Sequence, residues 1–496
     1  MKKLLLFLAM ILCSVCAVSC SGGSDKNENG NTNADRPENM GEGGENSVEA
    51  DSGLYDPMLP ENDFGGYDFK ILNVDSSAMP WAIVNVDMAE QTGDVVEDAI
   101  YLRNRNVEGK YNINIKEIAL PLDSVNKAID KMSKSGSDDY DLFVATAGSM
   151  PSHAINGYIE DLHKVEYINL DKPWWNQTAK YYFSIGGKLF FTTSDFILTD
   201  NENLATLAYN KKIAEELGLE SAEQMYRLVK EGKWTWSKFT QMCRTAYKNV
   251  DGSGAINYET DRFGAVSAGW WFGSAILVSF NEPIINKDKD DMPYIACKNS
   301  RFADVYAAMM ALMDDKRSMA RTSVDFDNFL EWVYERDGAL FAGTLVCGYR
   351  IMKGMKSDSA LLPMPKYDDR QDKYYTFAAD STCMAVPSMT AEPGRSGFML
   401  EALSAESAKI LTPAYYEKAL NMKYLRDEGS VQMLDIILEN QVYDICYTIY
   451  NWGGFTDTIR SACMKNNADI VSLIEKHEPK IQAAMQKTID AYNSLD

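Results

Sequence analysis

At 496 residues with 46% hydrophobic content, the chain is long enough to bury two sizeable cores. A formal net charge of −23 gives an acidic surface that repels nucleic acid and anionic lipid. Three histidines without His-Glu-x-x-His or cysteines at ligand spacing speak against a metal, and no Walker loop, Gly-x-Ser-x-Gly elbow or Gly-x-Gly-x-x-Gly is present, so no cofactor is expected.

Lys2-Lys3 and the apolar run from Leu4 to about Val18 form a signal peptide over residues 1–19, too short to span a membrane stably. Cys20, preceded by Ala17-Val-Ser19 and followed by Ser-Gly-Gly-Ser, has the form of a bacterial lipoprotein cleavage and acylation site. Cys13 and Cys16 are weaker alternatives. Residues 20–62 are rich in Gly, Asn, Ser, Asp and Glu and cannot bury enough apolar surface to fold. As a flexible coil they reach about 35 Å, a tether between lipid and domain. Membrane contact is expected through that lipid alone. The six later cysteines are dispersed in apolar patterns and read as core thiols rather than a disulfide framework, with one bridge left open.

Folding begins at the strand Tyr67–Val74, which ends at Asp75-Ser-Ser77. Asp94 caps the next helix, with Glu97 three residues on in the capping-box position, and Val96, Ile100 and Val107 on its buried side. A strand follows over Asn112–Ile118. Val125, Ala128, Ile129 and Met132 then mark the apolar face of a helix stopped by Gly136. The run Tyr140–Ala145 is a buried strand, stopped by the small residues Thr146-Ala-Gly-Ser149, which let a ligand approach. This alternation predicts right-handed crossovers and a parallel sheet. After the strand Ala205–Lys211 the chain is helix-rich, with strands over Phe263–Val266 and Ala339–Val346. A hairpin pairs Ile284-Ile285 with Tyr294-Ile295, its Asp288-Lys-Asp-Asp291 tip solvated. Phe326, Phe329, Leu330, Val333 and Tyr334 make a helical stripe. Ser381–Val386 is a strand, Thr412-Pro413 opens a helix, and a last helix turns Ile474, Ile481, Met485 and Ile489 inward.

The ordered set Asp141-Leu-Phe, Gly187-Lys-Leu and Tyr209-Asn-Lys211 resembles the family 1 extracellular solute-binding proteins of ABC importers, the maltose-binding type, from about Tyr67 to the C-terminus. The resemblance implies an α/β fold of two lobes (type II), each a mainly parallel sheet flanked by helices, joined by a three-crossing hinge. The expected lobes are 63–202 plus 381–445, and 203–380 plus 446–496. Crossings are expected near Leu198–Asn203, Phe377–Ser381 and Asp444–Tyr450.

Sugar rings offer apolar faces that stack on Trp, and hydroxyls that need donors and acceptors. Of nine Trp, those beside Gly or Pro in turns can face a cleft or plug a domain edge: Trp81, Trp270, Trp271 and Trp452. Trp174-Trp175, Trp234 and Trp236 read as structure. Asp75 and Ser149 sit at strand ends. The resemblance adds Tyr349 and Arg350, on a strand and turn that project ligand contacts in the family. It also adds Asn203, an amide where the family commonly carries an acid. The expected function is a monomeric, lipid-anchored, extracytoplasmic protein that captures a carbohydrate, an oligosaccharide by its aromatics, and delivers it to a permease without catalysis. A surface-anchored polysaccharide-cleaving enzyme with paired carboxylates, or a binder of a non-sugar solute, stays open. If Cys20 carries the lipid, Cys20→Ser moves the protein from the membrane fraction into the soluble fraction with folding unchanged, as fractionation and immunoblotting will report.

Overall fold

The computed structural model describes residues 55–322, 336–352, 357–416, 425, 427–465 and 469–495. The leader, Cys20, most of the tether and the Phe326–Tyr334 stripe lie outside the described residues. Thirteen strands lie within them: β1 (Tyr67–Val74), β2 (Ile113–Leu120), β3 (Leu142–Thr146), β4 (Ala205–Asn210), β5 (Phe263–Ala268), β6 (Ile285–Lys287), β7 (Pro293–Ile295), β8 (Met319–Thr322), β9 (Ala339–Leu345), β10 (Ser359–Pro363), β11 (Thr376–Phe377), β12 (Thr382–Ala385) and β13 (Gln441–Val442).

Two sheets organise the fold. The first runs β12-β3-β1-β2; β1 is parallel to β2 and β3, and β12 closes the edge antiparallel to β3. The second runs β10-β4-β9-β5-β8, with β5 parallel to both β8 and β9 and β4 antiparallel to β9 and β10. Helices flank both sheets, making a two-lobed α/β fold. Each sheet is buried on both faces: Ile71, Leu72, Phe143 and Val144 in the first, and Leu207, Ala208, Phe341 and Val266 in the second, are fully inaccessible.

The first helix, Val95–Tyr111, starts where Asp94 accepts from Val96 N at 3.0 Å. Glu97 does not close a capping box. Its carboxylate accepts from Thr92 Oγ1 at 2.6 Å, and Asp94 N–H turns to the same hydroxyl. The helix Leu122–Ser135 stops at Gly136, whose φ of +67° is the left-handed cap that glycine adopts without a Cβ penalty. Helical structure begins at Leu411 and continues through Tyr416, which puts Pro413 in its first turn. The β6–β7 hairpin forms as expected. Its tip is solvated at Asp288, Lys289 and Asp290, while Asp291 turns back and accepts from Ser184 Oγ at 3.1 Å and Gly187 N at 3.0 Å.

Three segments pass between the sheets, linking β3 to β4, β10 to β12, and β12 to the C-terminal helices. They lie side by side: Leu204 bridges Ala378, Ala379 N donates to Asn203 O at 2.9 Å, and β11 pairs in parallel with β13.

The second sheet packs on the helix Trp236–Ala246 at backbone contact. A Cβ added at Gly264 in β5 falls on the Cys243 backbone, which cannot yield as a flexible side chain can. Gly264→Ala will therefore destabilise the protein by about 3 kcal/mol, read as a lower midpoint in urea denaturation.

Candidate functional site

The loop between β1 and the first helix carries no regular structure, so its buried backbone groups need partners from elsewhere. Its own lobe supplies several. Asn73 on β1 donates to Val84 O at 2.8 Å and to Glu117 on β2 at 2.6 Å, and Glu117 accepts from Asp87 N at 3.0 Å. Arg103, inaccessible to solvent, donates to Val86 O and to Phe196 O (3.1 Å), and Asn104 adds a second bond to Val86 O at 3.1 Å. Burial pulls the Arg103 guanidinium down to about 9, against the opposing pull of Asp87 and Glu117.

The other partners come from the first crossing segment and from the second sheet. Arg350, in the turn Gly348–Met352 after β9, donates through Nη2 to Trp81 O. Its Nη2 lies 3.6 Å from Glu202 Oε1, and Glu202 accepts from Ile83 N. Glu202 closes the helical turn Thr199–Glu202 in the first crossing segment and is fully buried. Burial pushes its carboxyl up to about 6, with Arg350, Ile83 N and Tyr415 opposing. Sequence reading passed over Glu202. The signal was there: an acidic residue between the apolar runs Phe196-Ile-Leu198 and Leu204-Ala-Thr-Leu207.

The fold thus brings Trp81 and Arg350, two of the sequence-derived site residues, into direct contact from different sheets. Asn203 lies one residue from Glu202 and is buried. Its Nδ2 donates to Asp380 O and its Oδ1 accepts from Cys347 Sγ at 3.9 Å. Tyr349 is buried, its hydroxyl donating to Ala360 O at 3.1 Å. Asp75 and Ser149 stand at the C-terminal ends of β1 and β3, each engaged locally: Asp75 accepts from Ser77 N at 3.0 Å, and Ser149 Oγ donates to Thr146 O at 2.9 Å. Trp271 lies on the first turn of the helix Gly269–Ser279, 6% exposed, its ring edge-on to Phe272. Trp270 opens the same helix, and its side chain lies outside the described residues. Trp452 is 3% exposed, stacks on Tyr450 with centroids 4.5 Å apart, and donates to Thr488 Oγ1 at 2.9 Å.

The first and third crossing segments bury carboxylates. Asp200 in the first accepts from Asn176 Nδ2 at 3.0 Å, and burial pushes it up to about 7, with Asp195 adding to the rise. Asp444 in the third caps Cys446 N and Tyr447 N at 2.9 and 2.8 Å, yet burial lifts it to about 6. Asp380 in the second lies exposed.

No protein-family model matches the sequence. No curated protein sequence matches it either. The likeness is to solved structures. UspC of M. tuberculosis superposes with a TM-score of 0.57 at 10% identity, covering 84% of this chain and 100% of its own. The cyclic alpha-maltosyl-1,6-maltose binding protein from Arthrobacter globiformis gives 0.55 at 12% identity, covering 87% and 99%. An ABC substrate-binding protein from Listeria monocytogenes in complex with cycloalternan gives 0.51 at 11% identity, covering 86% and 98%. At these identities the likeness is one of fold.

The buried acid at the first crossing makes a test. A folded-state pKa raised from 3.8 to about 7 means the native state holds its proton more tightly than the unfolded chain. That contribution is fully present below pH 3.8 and is lost as pH rises through about 7. At about 1.4 kcal/mol per pKa unit, ionised Asp200 costs the fold about 4 kcal/mol. Asp200→Asn, which keeps an acceptor for Asn176, should raise stability by about 2–4 kcal/mol above pH 7 and change it little in acid, as denaturation at several pH values will measure.

Proposed function

We propose that this chain is the substrate-binding protein of an ABC importer, that it takes a carbohydrate between its two lobes, and that it hands the sugar to a permease without chemical change. The observation that carries the proposal is the meeting of Trp81 and Arg350 from opposite lobes beside the three crossing segments. A tryptophan face for the C–H side of a sugar ring and a guanidinium fork for its hydroxyls are the two recognition chemistries an oligosaccharide needs. Lobes that touch the same ligand only when closed convert hinge motion into affinity. Solved structures of the same fold hold cycloalternan and maltotetraose, which supports a carbohydrate over other solutes.

In this reading Asp75 and Ser149 line the first-lobe edge of the site and Tyr349 braces the turn that presents Arg350. Asn203, Trp270, Trp271 and Trp452 complete the set around the hinge and second lobe. The lobes are 63–202 plus 381–445 and 203–380 plus 446–496, closing about the three crossings. Acylated Cys20 anchors the monomer outside the cytoplasmic membrane, with residues 21–62 as tether.

Calorimetric titration over a panel of linear and cyclic oligosaccharides, with solution scattering on the same samples, tests the reading. At least one sugar should bind, compact the protein and be recovered uncleaved. Trp81→Ala should weaken that sugar by about 30- to 1,000-fold, the loss of a buried aromatic contact of about 2–4 kcal/mol, with little change in thermal midpoint. Release of shortened sugar in stoichiometric excess, or binding confined to polyamines, peptides or metal ions, would overturn it.

A further inference from the structure

We propose that Glu202 is the positioning residue of the interlobe site, holding the Trp81 loop and Arg350 in register and so setting how far the ligand-free lobes close. Its purpose rests on the substrate-binding reading above; its geometry does not. One carboxylate meets groups from three separate parts of the chain. Oε2 accepts from Ile83 N in the loop after β1, Oε1 lies 3.6 Å from Arg350 Nη2 in the turn after β9, and Tyr415 Oη approaches Oε1 at 3.5 Å. Arg350 in turn donates to Trp81 O, two residues from Ile83, so acid, base and loop close a ring across the two lobes. Glu202 is anchored to the crossing itself, where its carbonyl accepts from Cys347 N at 3.0 Å and its amide donates to Leu198 O at 3.0 Å. The loop it grips is rigid on its own side, pinned through Val84 and Val86 by Asn73, Arg103 and Asn104. A shift of Glu202 therefore moves Trp81 and Arg350 relative to each other rather than being absorbed by slack.

The charged and titratable groups that face this carboxylate are Arg350, Tyr415, Tyr416 and Cys347. Burial outweighs the help of Arg350 and keeps the acid's proton affinity high in the closed arrangement. Opening the lobes admits water to the Ile83 and Trp81 side and lowers that affinity, so closure takes up a proton. Acid then favours the closed form of the empty protein.

The test is solution scattering of the full chain without any ligand, at pH 5 and pH 8, for wild type, Glu202→Gln, Glu202→Ala and Arg350→Ala. Wild type should be more compact at pH 5 than at pH 8. Glu202→Gln, which keeps an acceptor for Ile83 N but cannot ionise, should stay compact at both. Glu202→Ala and Arg350→Ala should expand by about 1 Å in radius of gyration at both. Asp200→Asn, whose acid lies in the same crossing but outside the ring, should keep the wild-type trend. A pH trend that persists in Glu202→Gln overturns the proposal, as do alanine variants as compact as wild type. If Glu202→Ala does not fold, the Glu202→Gln arm decides alone. Absence of sugar binding would defeat the proposed function yet leave these ligand-free results unchanged.

Discussion

An irregular loop between two lobes must find a partner for every buried backbone group, and this requirement shapes the centre of the molecule. The segment from Asp75 to Asp87 makes no ladder of its own. Asn73, Arg103, Asn104 and Glu117 take its inner groups, and each sits on β1, β2 or the first helix, so the loop becomes an extension of the first sheet. Two groups, Ile83 N and Trp81 O, are taken instead by Glu202 and Arg350. The same backbone requirement therefore stiffens one lobe and couples it to the other.

The crossing segments carry a second constraint. They lie side by side, and Asp200, Glu202 and Asp444 are buried within them. Asp200, Glu202 and Asp444 are all raised by burial, the first two helped only in part by Asn176 and Arg350. Three acids whose ionised form is disfavoured by burial are a liability for static stability at neutral pH. They are intelligible in a region that must rearrange, because an element held by imperfectly solvated charge lies closer in energy to its opened form.

Much of the fold was legible along the chain, for a physical reason. The periodicities of Val125–Met132 and Val96–Val107 report burial on one helical face, and apolar runs such as Tyr140–Ala145 report strands covered on both faces. Capping at Asp94 and termination at Gly136 are equally local. Misreadings arose where several local partners compete. Glu97 could bond the Asp94 amide or the Thr92 hydroxyl, and the hydroxyl won.

The candidate site divides along the same line. Sequence alone determined that Trp81 sits in a turn, that strand ends carry Asp75 and Ser149, and that Arg350 follows a buried strand, because each is a statement about near neighbours. Which of these meet was decided only by tertiary structure. Trp452 stacks on Tyr450 and bonds Thr488, 36 residues away, while Arg350 crosses 269 residues of chain to reach Trp81. Glu202 shows the limit most plainly. An acid among apolar neighbours announces that it must be buried and paired, but a carboxylate's partners are set by what the fold brings within 3 or 4 Å of it, and no local pattern encodes an amide 119 residues back or a guanidinium on the far lobe.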